Sequence, residues 1–498
     1  MRLIIYRLLL LGILTPGFLP EANATAAFYY DFTPGCRHAY ESLMALRLAE
    51  GDQIIKEEIK ARPANLVPVL LSNYNDCLTL LFNGNANDYA SRKANFDKRL
   101  KYLEKGDPSS PWYRYALGSL YFQWAAVHIR FNDNFAAATE FRKSYNYLKD
   151  NKQKFPNFKN TQVLLGVEES LVGTLPDNYK WITHILGIKG DVRKGINQIA
   201  DFLNSGSNAL MREEAVFLYG YLRFNLLDDH AGALRYLDNS GVDFRGNHLF
   251  AFLKANLALN DNKAAVAEQV LRNRSQEQGY LHTPVFHYQL GIALLQKLND
   301  DCIDYFKKFL AENTGKLFLK DAYEKMSLYY VASGNESQAG IFKRKIASAG
   351  NTITDADKQA QRYGQQEAAL PNRWLVRARL LCDGGYFNEA LAQMQKIDPA
   401  GCNMADLLEY NYRYARIYDL MGQGGRAINY YEQTMAKGNN RQEHFAARSA
   451  LELGRLYEEQ GQKNKALHYY QTCLNMKNHD YKSSLDQKAK AAISRLGR

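Results

Sequence analysis

Along the last third of the chain, apolar and polar positions alternate with a helical period, in blocks that come in pairs. In residues 450–474, Leu453, Gly454 and Tyr457 share one face of a first helix, a glycine-centred turn follows, and Ala466, Tyr470 and Cys473 mark the face of a second. The same spacing returns in Ala415, Tyr418, Ala427 and Tyr431, with Ala415 standing 39 residues before Gly454. It returns again in Trp374, Ala378, Leu381, Ala390, Met394 and Ile397, a further 37 residues upstream, with Gly384 and Gly385 in the turn. Looser copies carry Leu290, Gly291, Leu294, Cys302, Phe306 and Phe309, then Ser327, Tyr330 and Ala339, then Gly220 and Ala233. Residues 252–271 form a degenerate unit. The amino-terminal half reads as less regular helices. Residues 38–59 give a helix, a glycine break and another helix, and residues 111–149 give a larger pair with Leu117, Gly118 and Tyr121. Residues 83–87 and 105–110 are rich in Asn, Gly and Pro and read as loops.

The spacing has a physical reason. Glycine inside a helix costs about 1 kcal/mol relative to alanine, so Gly454 and Gly291 belong where a side chain would hold the paired helix away. Ala390, Ala427 and Ala466 are expected to supply the facing small surface, and Tyr418, Tyr431, Tyr457 and Tyr470 to fill the wedge between units. Each pair leaves an apolar face that only the next pair covers, so the units must stack.

These residues resemble the tetratricopeptide repeat, a helix pair with small and aromatic residues at fixed offsets. The resemblance is strongest over residues 371–475. It implies an all-α superhelix, a TPR-like solenoid. The expected division is a signal peptide at 1–24, a degenerate helical-repeat domain at 25–204, irregular repeats at 205–350 and a regular array at 351–498. A second stretch, residues 141–204, is similar to a block of the eukaryotic inclusion-body-clearance family of tetratricopeptide proteins: a small-residue helix, a proline, an apolar helix, then the glycine-rich LGIKGDVRKG of residues 186–195. That resemblance implies an interaction protein and transfers no catalytic residue.

Composition changes the picture in two places. The 498 residues are 46% hydrophobic and 23% charged, ordinary for a globular chain, with 12 prolines and an unusual 34 tyrosines. The start places Arg2 and Arg7 before an apolar run at 8–14, then a Pro/Gly break and Ala22-Asn23-Ala24, the arrangement of a secretory signal peptide cleaved after Ala24. Export to a periplasm or outer envelope is therefore expected, with no transmembrane helix left after cleavage. The formal charge of +11 becomes +10 when two Arg and one Glu leave with that segment. The excess is dispersed, which reads as a solvated surface with a possible contact to an anionic envelope surface, and no nucleic acid is expected as partner. Of six cysteines, Cys302 and Cys473 fall at apolar helix positions, and Cys36 with Cys77 and Cys382 with Cys402 are the pairs open to bridging.

The search for chemistry returns little. Gly187, Gly190 and Gly195 lack the spacing of a phosphate loop, and Asp191 reads as a helix N-cap instead. The run 179–188 with Trp181 reads as packing inside the array rather than a membrane contact. His282 and His287 stand five apart without a metal-ligand motif, and the carboxylates before His230 read as helix caps. No catalytic residue, metal or cofactor is expected, and the chain reads as a non-enzyme. One arrangement rises above this background. In the tetratricopeptide register, the residue after the small position of the first helix faces the concave groove, and in three consecutive units it is Arg379, Arg416 and Arg455. Such guanidinium groups suit a carboxylate-bearing protein or peptide partner, with Tyr412 placed to stack on it. Asp419, Glu458 and Glu459 stand at helical spacings that would neutralise Arg416 and Arg455 internally. Both readings stay open from sequence. The expected function is an exported, non-catalytic scaffold holding a partner in its groove, or else an envelope component handling glycan or assembly at an anionic surface.

Overall fold

The computed structural model describes residues 27–174, 190–206, 210–366 and 370–497. The signal segment and the run at 179–188 lie outside the described residues. The first helices are α1 (Pro34–Met44), α2 (Leu48–Ala61), α3 (Val67–Asn83), α4 (Ala86–Leu103), α5 (Pro111–Arg130), α6 (Asn134–Lys154) and α7 (Asn160–Gly173). The middle holds α8 (Val192–Asn204), α9 (Arg212–Leu227), α10 (His230–Asp238), α11 (His248–Asn260), α12 (Ala264–Asn273), α13 (Val285–Gln296), α14 (Cys302–Glu312), α15 (Leu319–Ser333), α16 (Glu336–Lys345) and α17 (Asp355–Gln365). The last array is α18 (Arg373–Gly384), α19 (Phe387–Met394), α20 (Met404–Leu420), α21 (Gly424–Gly438), α22 (Phe445–Glu459), α23 (Lys463–Asn475) and α24 (Lys482–Leu496). Among the described residues there is no strand, only one isolated bridge between Tyr29 and Asn65. The fold is an all-α, TPR-like superhelix.

Local chemistry sets the boundaries. Side chains of Asn85, Asp133, Asp191, Asp229, Asn335 and Asn372 accept hydrogen bonds from the first free N–H groups of α4, α6, α8, α10, α16 and α18. The expected N-cap role of Asp191 is thus met, through Lys194 N at 2.9 Å. Gly334 and Gly385 end α15 and α18 in the left-handed region.

Consecutive helices pack as pairs, and the second helix of each regular pair packs on the first of the next. The apolar interior is correspondingly a string of overlapping clusters rather than one central core. Ala390, Ala427 and Ala466 are fully buried, as are Tyr431 and, at 2% exposure, Tyr470. The glycines answer to something other than a facing alanine. A Cβ on Gly454 would stand 2.5 Å from the Tyr470 ring, and one on Gly291 would stand 2.9 Å from Phe306. A bare backbone therefore receives a ring from the second helix. The glycines of the 141–204 block do similar work: a Cβ on Gly195 would meet the Gly166 carbonyl at 2.2 Å, so α7 and α8 touch backbone to backbone.

Two expectations for the amino-terminal half are corrected. The break in 38–59 falls at residues 45–47, and Gly51 lies inside α2, where a Cβ would stand 2.8 Å from Leu43. Close approach, not chain reversal, is what that glycine serves. The loop at 83–87 contracts to Gly84 and Asn85, the C-cap of α3 and the N-cap of α4.

The first turn of the superhelix closes on itself. The backbone N–H groups of His248 and Leu281 donate to the carbonyls of Ala45 (3.3 Å) and Leu46 (2.7 Å), and Asn83 Nδ2 donates to the His282 carbonyl at 3.1 Å. Further on, Asn262 Nδ2 donates to the carbonyls of Cys382 and Asp383, tying the α11–α12 turn to the end of α18. All six cysteines are free, and five are buried.

Candidate binding groove

The three predicted arginines sit on α18, α20 and α22, the first helices of three successive pairs, and all remain partly exposed. Around them stands a wall of alternating charge that sequence reading resolved only in part. On α20, Arg413 donates twice to Glu409 one turn away, at 3.0 and 2.8 Å. On α22, Glu452 accepts from Arg448 and from Arg455, both at 3.0 Å. Asp419 joins the two helices: it accepts from Arg455, from Tyr431 Oη at 3.0 Å and from Arg416 at 3.5 Å. Arg416 also stands 4.0 Å from Glu452, and Arg455 donates to Glu459 at 2.7 Å.

The electrostatics follow from that crowding. Burial works to raise the Glu452 carboxyl, but Arg448, Arg416 and Arg455 outweigh it and hold the group at about 2. Burial likewise opposes ionisation of Arg416 and Arg455, and Glu452 reverses the balance for both. Neutralisation therefore acts between helices as well as within them. Glu458, expected beside Arg455, belongs elsewhere: it takes Arg495 of α24 through two bonds, at 2.8 and 2.7 Å, and Tyr470 Oη at 2.7 Å.

Tyr412 is 6% exposed, with ring centres 5.4 Å from Phe445 and 6.1 Å from Tyr431, and the Arg413 guanidinium stands 5.4 Å from its ring, so it lies beneath the charged wall rather than open to solvent. Arg379 is the contrary case. Among the described residues it has no hydrogen-bond or ion-pair partner, although its field reaches Glu409 and the buried Glu324 of α15. Lys488 of α24 extends the same surface. It keeps solvent contact, yet desolvation and then Arg448 pull its ammonium below its ordinary range. Asp228, in the α9–α10 turn, lies within electrostatic reach of Lys488 and Arg495, so distant parts of the chain face one another across the concave side.

The Glu409, Arg413, Arg448 and Glu452 pairs were missed from sequence. Their signal was present in the four-residue spacings 409–413 and 448–452 on the first helices of neighbouring units. Other candidates resolve as structural. His282 and His287 both approach Glu312, at 3.4 Å each. Asp229 caps α10 through Gly232 N, and Asp228 pairs with His230 at 3.1 Å. No group of three or more potential metal ligands occurs among the described residues. No helix among them is long and apolar enough to cross a membrane.

No family model matches the chain, and no curated protein matches it. Similar solved structures include a human IFIT1 dimer with m7Gppp-AAAA, at 12% identity, covering 89% of this chain and 90% of that one with a TM-score of 0.37. The APC/C hetero-tetramer Cut9–Hcn1 is similar at 12% identity over 92% of this chain and 82% of that one, with a TM-score of 0.27. Yeast Tom70 is similar at 11% identity over 92% and 88%, with a TM-score of 0.23.

Proposed function

We propose that the chain is a non-catalytic helical-repeat scaffold, and that the wall formed by α18, α20 and α22 holds an acidic segment of a partner protein. The observation that carries the reading is the imbalance on that wall. Arg413, Arg416, Arg448 and Arg455 are paired with Glu409, Asp419, Glu452 and Glu459, and among the described residues the guanidinium of Arg379 has no carboxylate within ion-pair distance. The paired arginines hold one another's carboxylates and fix the shape of the wall, while Arg379 and Lys488 remain to meet a ligand. The leader-like residues 1–24 support a scaffold that works after export, and the non-enzymatic character of the family that residues 141–204 resemble supports a non-catalytic role.

The test uses a dye-labelled glutamate-rich peptide, a lysine-rich counterpart and the full chain, read by fluorescence anisotropy. The acidic peptide is expected to bind selectively, and Arg379→Gln to weaken it roughly tenfold with little change in the unfolding midpoint, since among the described residues that side chain holds no hydrogen bond or ion pair. Equal binding of the two peptides, or an Arg379→Gln protein that binds like wild type, would overturn the reading.

A further inference from the structure

A second feature lies in the other half of the molecule, far from the charged wall in the order of helices. Between α3, α5, α7, α9 and α11, and closed by the chain from Phe309 to Phe318, is a cavity of about 440 Å³. That is within the range of small-molecule sites, roughly 300–1,000 Å³. Its wall is built largely of hydrocarbon, including Leu78, Leu81, Phe122, Leu171, Phe217 and Phe252. The pocket is half open to solvent, so an apolar occupant would take its hydrocarbon wall out of water.

Charged and polar groups in the wall are few, and one of them lacks a partner. Arg130, at the end of α5, donates from Nε to the Leu81 carbonyl at 3.0 Å. Its terminal nitrogens have no acceptor on the protein among the described residues, and no carboxylate lies within ion-pair distance. Two glycines make room for it: a Cβ on Gly84 would stand 2.4 Å from Nη2, and one on Gly315 would stand 3.3 Å away. Desolvation pulls its guanidinium down to about 10, with the charge of Asp357 opposing. The carboxyl in the wall, Glu214, does not neutralise it. Glu214 takes the Tyr74 hydroxyl at 2.9 Å, and burial raises it to about 7, so much of its population is uncharged at neutral pH. Arg130 is half-buried and keeps solvent contact, and an incoming carboxylate would give its terminal nitrogens an acceptor at the edge of the apolar wall.

We propose that this cavity binds a long-chain monocarboxylic acid, with the hydrocarbon tail among the apolar side chains of α3, α5, α7 and α9 and the carboxylate on the terminal nitrogens of Arg130. Charge complementarity selects an acid over an amine or a neutral ester. The fork of the guanidinium suits two parallel hydrogen bonds to one carboxylate.

The experiment titrates the full chain with cis-parinaric acid and displaces it with palmitate, methyl palmitate and hexadecylamine, reading fluorescence. Saturable one-site binding is expected, with palmitate displacing at least roughly tenfold better than either of the others. Arg130→Gln is expected to bring palmitate down to the level of its methyl ester while leaving the ester unchanged, and Ala126→Trp, which fills the cavity, to abolish displacement by all three. Wild-type protein that binds palmitate and methyl palmitate alike, prefers the amine, or shows no saturable binding overturns the proposal. That outcome needs no variant to fold. The acidic-peptide measurements are independent, so either proposal can fail alone.

Discussion

At the scale of single residues, a glycine in one helix admits a bulky group from its neighbour, a ring at Gly454 and Gly291 and a leucine at Gly51, Gly118 and Gly220. Gly454 admits the Tyr470 ring, whose hydroxyl is then delivered to Glu458. Ala466, fully buried on the same helix as Tyr470, has no space for added methylenes. Ala466→Leu is expected to destabilise the protein by about 1–3 kcal/mol through overpacking, measured as a fall in denaturant midpoint at constant slope. The positions of these residues were readable from the repeat, because a period plus a small side chain implies a close contact. What each glycine would touch was not readable, since the ring comes from another helix. Gly51 shows the limit: without a repeat to set its register, a glycine in α2 looks like a break. Glu214 gives a second prediction. A carboxyl raised to about 7 in the fold, against 4.5 in the open chain, binds more protons folded than unfolded between those values. Its burial therefore costs stability progressively as pH rises from about 4.5 to 7, and the cost levels off above that. Glu214→Gln is expected to remove that loss, gaining about 2 kcal/mol over wild type at pH 8 and nothing at pH 4, in denaturant titrations at the two pH values.

At the scale of elements, α20 and α22 are held as a unit by Asp419 and Glu452, which lie on different helices and share arginines. Glu452 is the reverse of Glu214. Held at about 2, it contributes stability that is complete above 4.5 and is lost as pH falls toward 2. Glu452→Gln leaves Arg448, Arg416 and Arg455 facing one another, and a loss of about 3 kcal/mol is expected at pH 7. The same substitution should cost far less at pH 2, and a loss independent of pH would contradict the assignment. Intrahelical spacings made Arg416–Asp419 and Arg455–Glu459 visible in sequence. The bridges from Arg455 to Asp419 and from Arg495 to Glu458 were not, because they depend on how one pair is rotated against the next. The helix α4 went unread for a related reason: its apolar stripe is sparse, with Tyr89, Phe96 and Leu100 only partly buried and Leu103 alone fully buried.

At the scale of the whole molecule, α24 ties the last pair together: it buries Leu485, Ala489 and Ala492 against α22 and α23 and fixes Arg495 on Glu458. Removing residues 482–498 uncovers the apolar face of α22 and α23 and is expected to lower the unfolding midpoint and to produce association at micromolar concentration, followed by light scattering; a monomeric, equally stable product would contradict that packing. The superhelix was legible in the carboxy-terminal third because near-identical units were there to compare. Its first turn was not, and neither was the cavity, since both arise where irregular helices meet far from one another in the chain.

The bonds from His248 and Leu281 back to Ala45 and Leu46 have a bearing on the order of events during biosynthesis. Carbonyls exposed at the α1–α2 junction wait for donors about two hundred residues further along, so the earliest helices to emerge are among the last to become secure. Pulsed deuterium labelling of refolding protein should find amides of residues 445–475 protected well before those of residues 34–61.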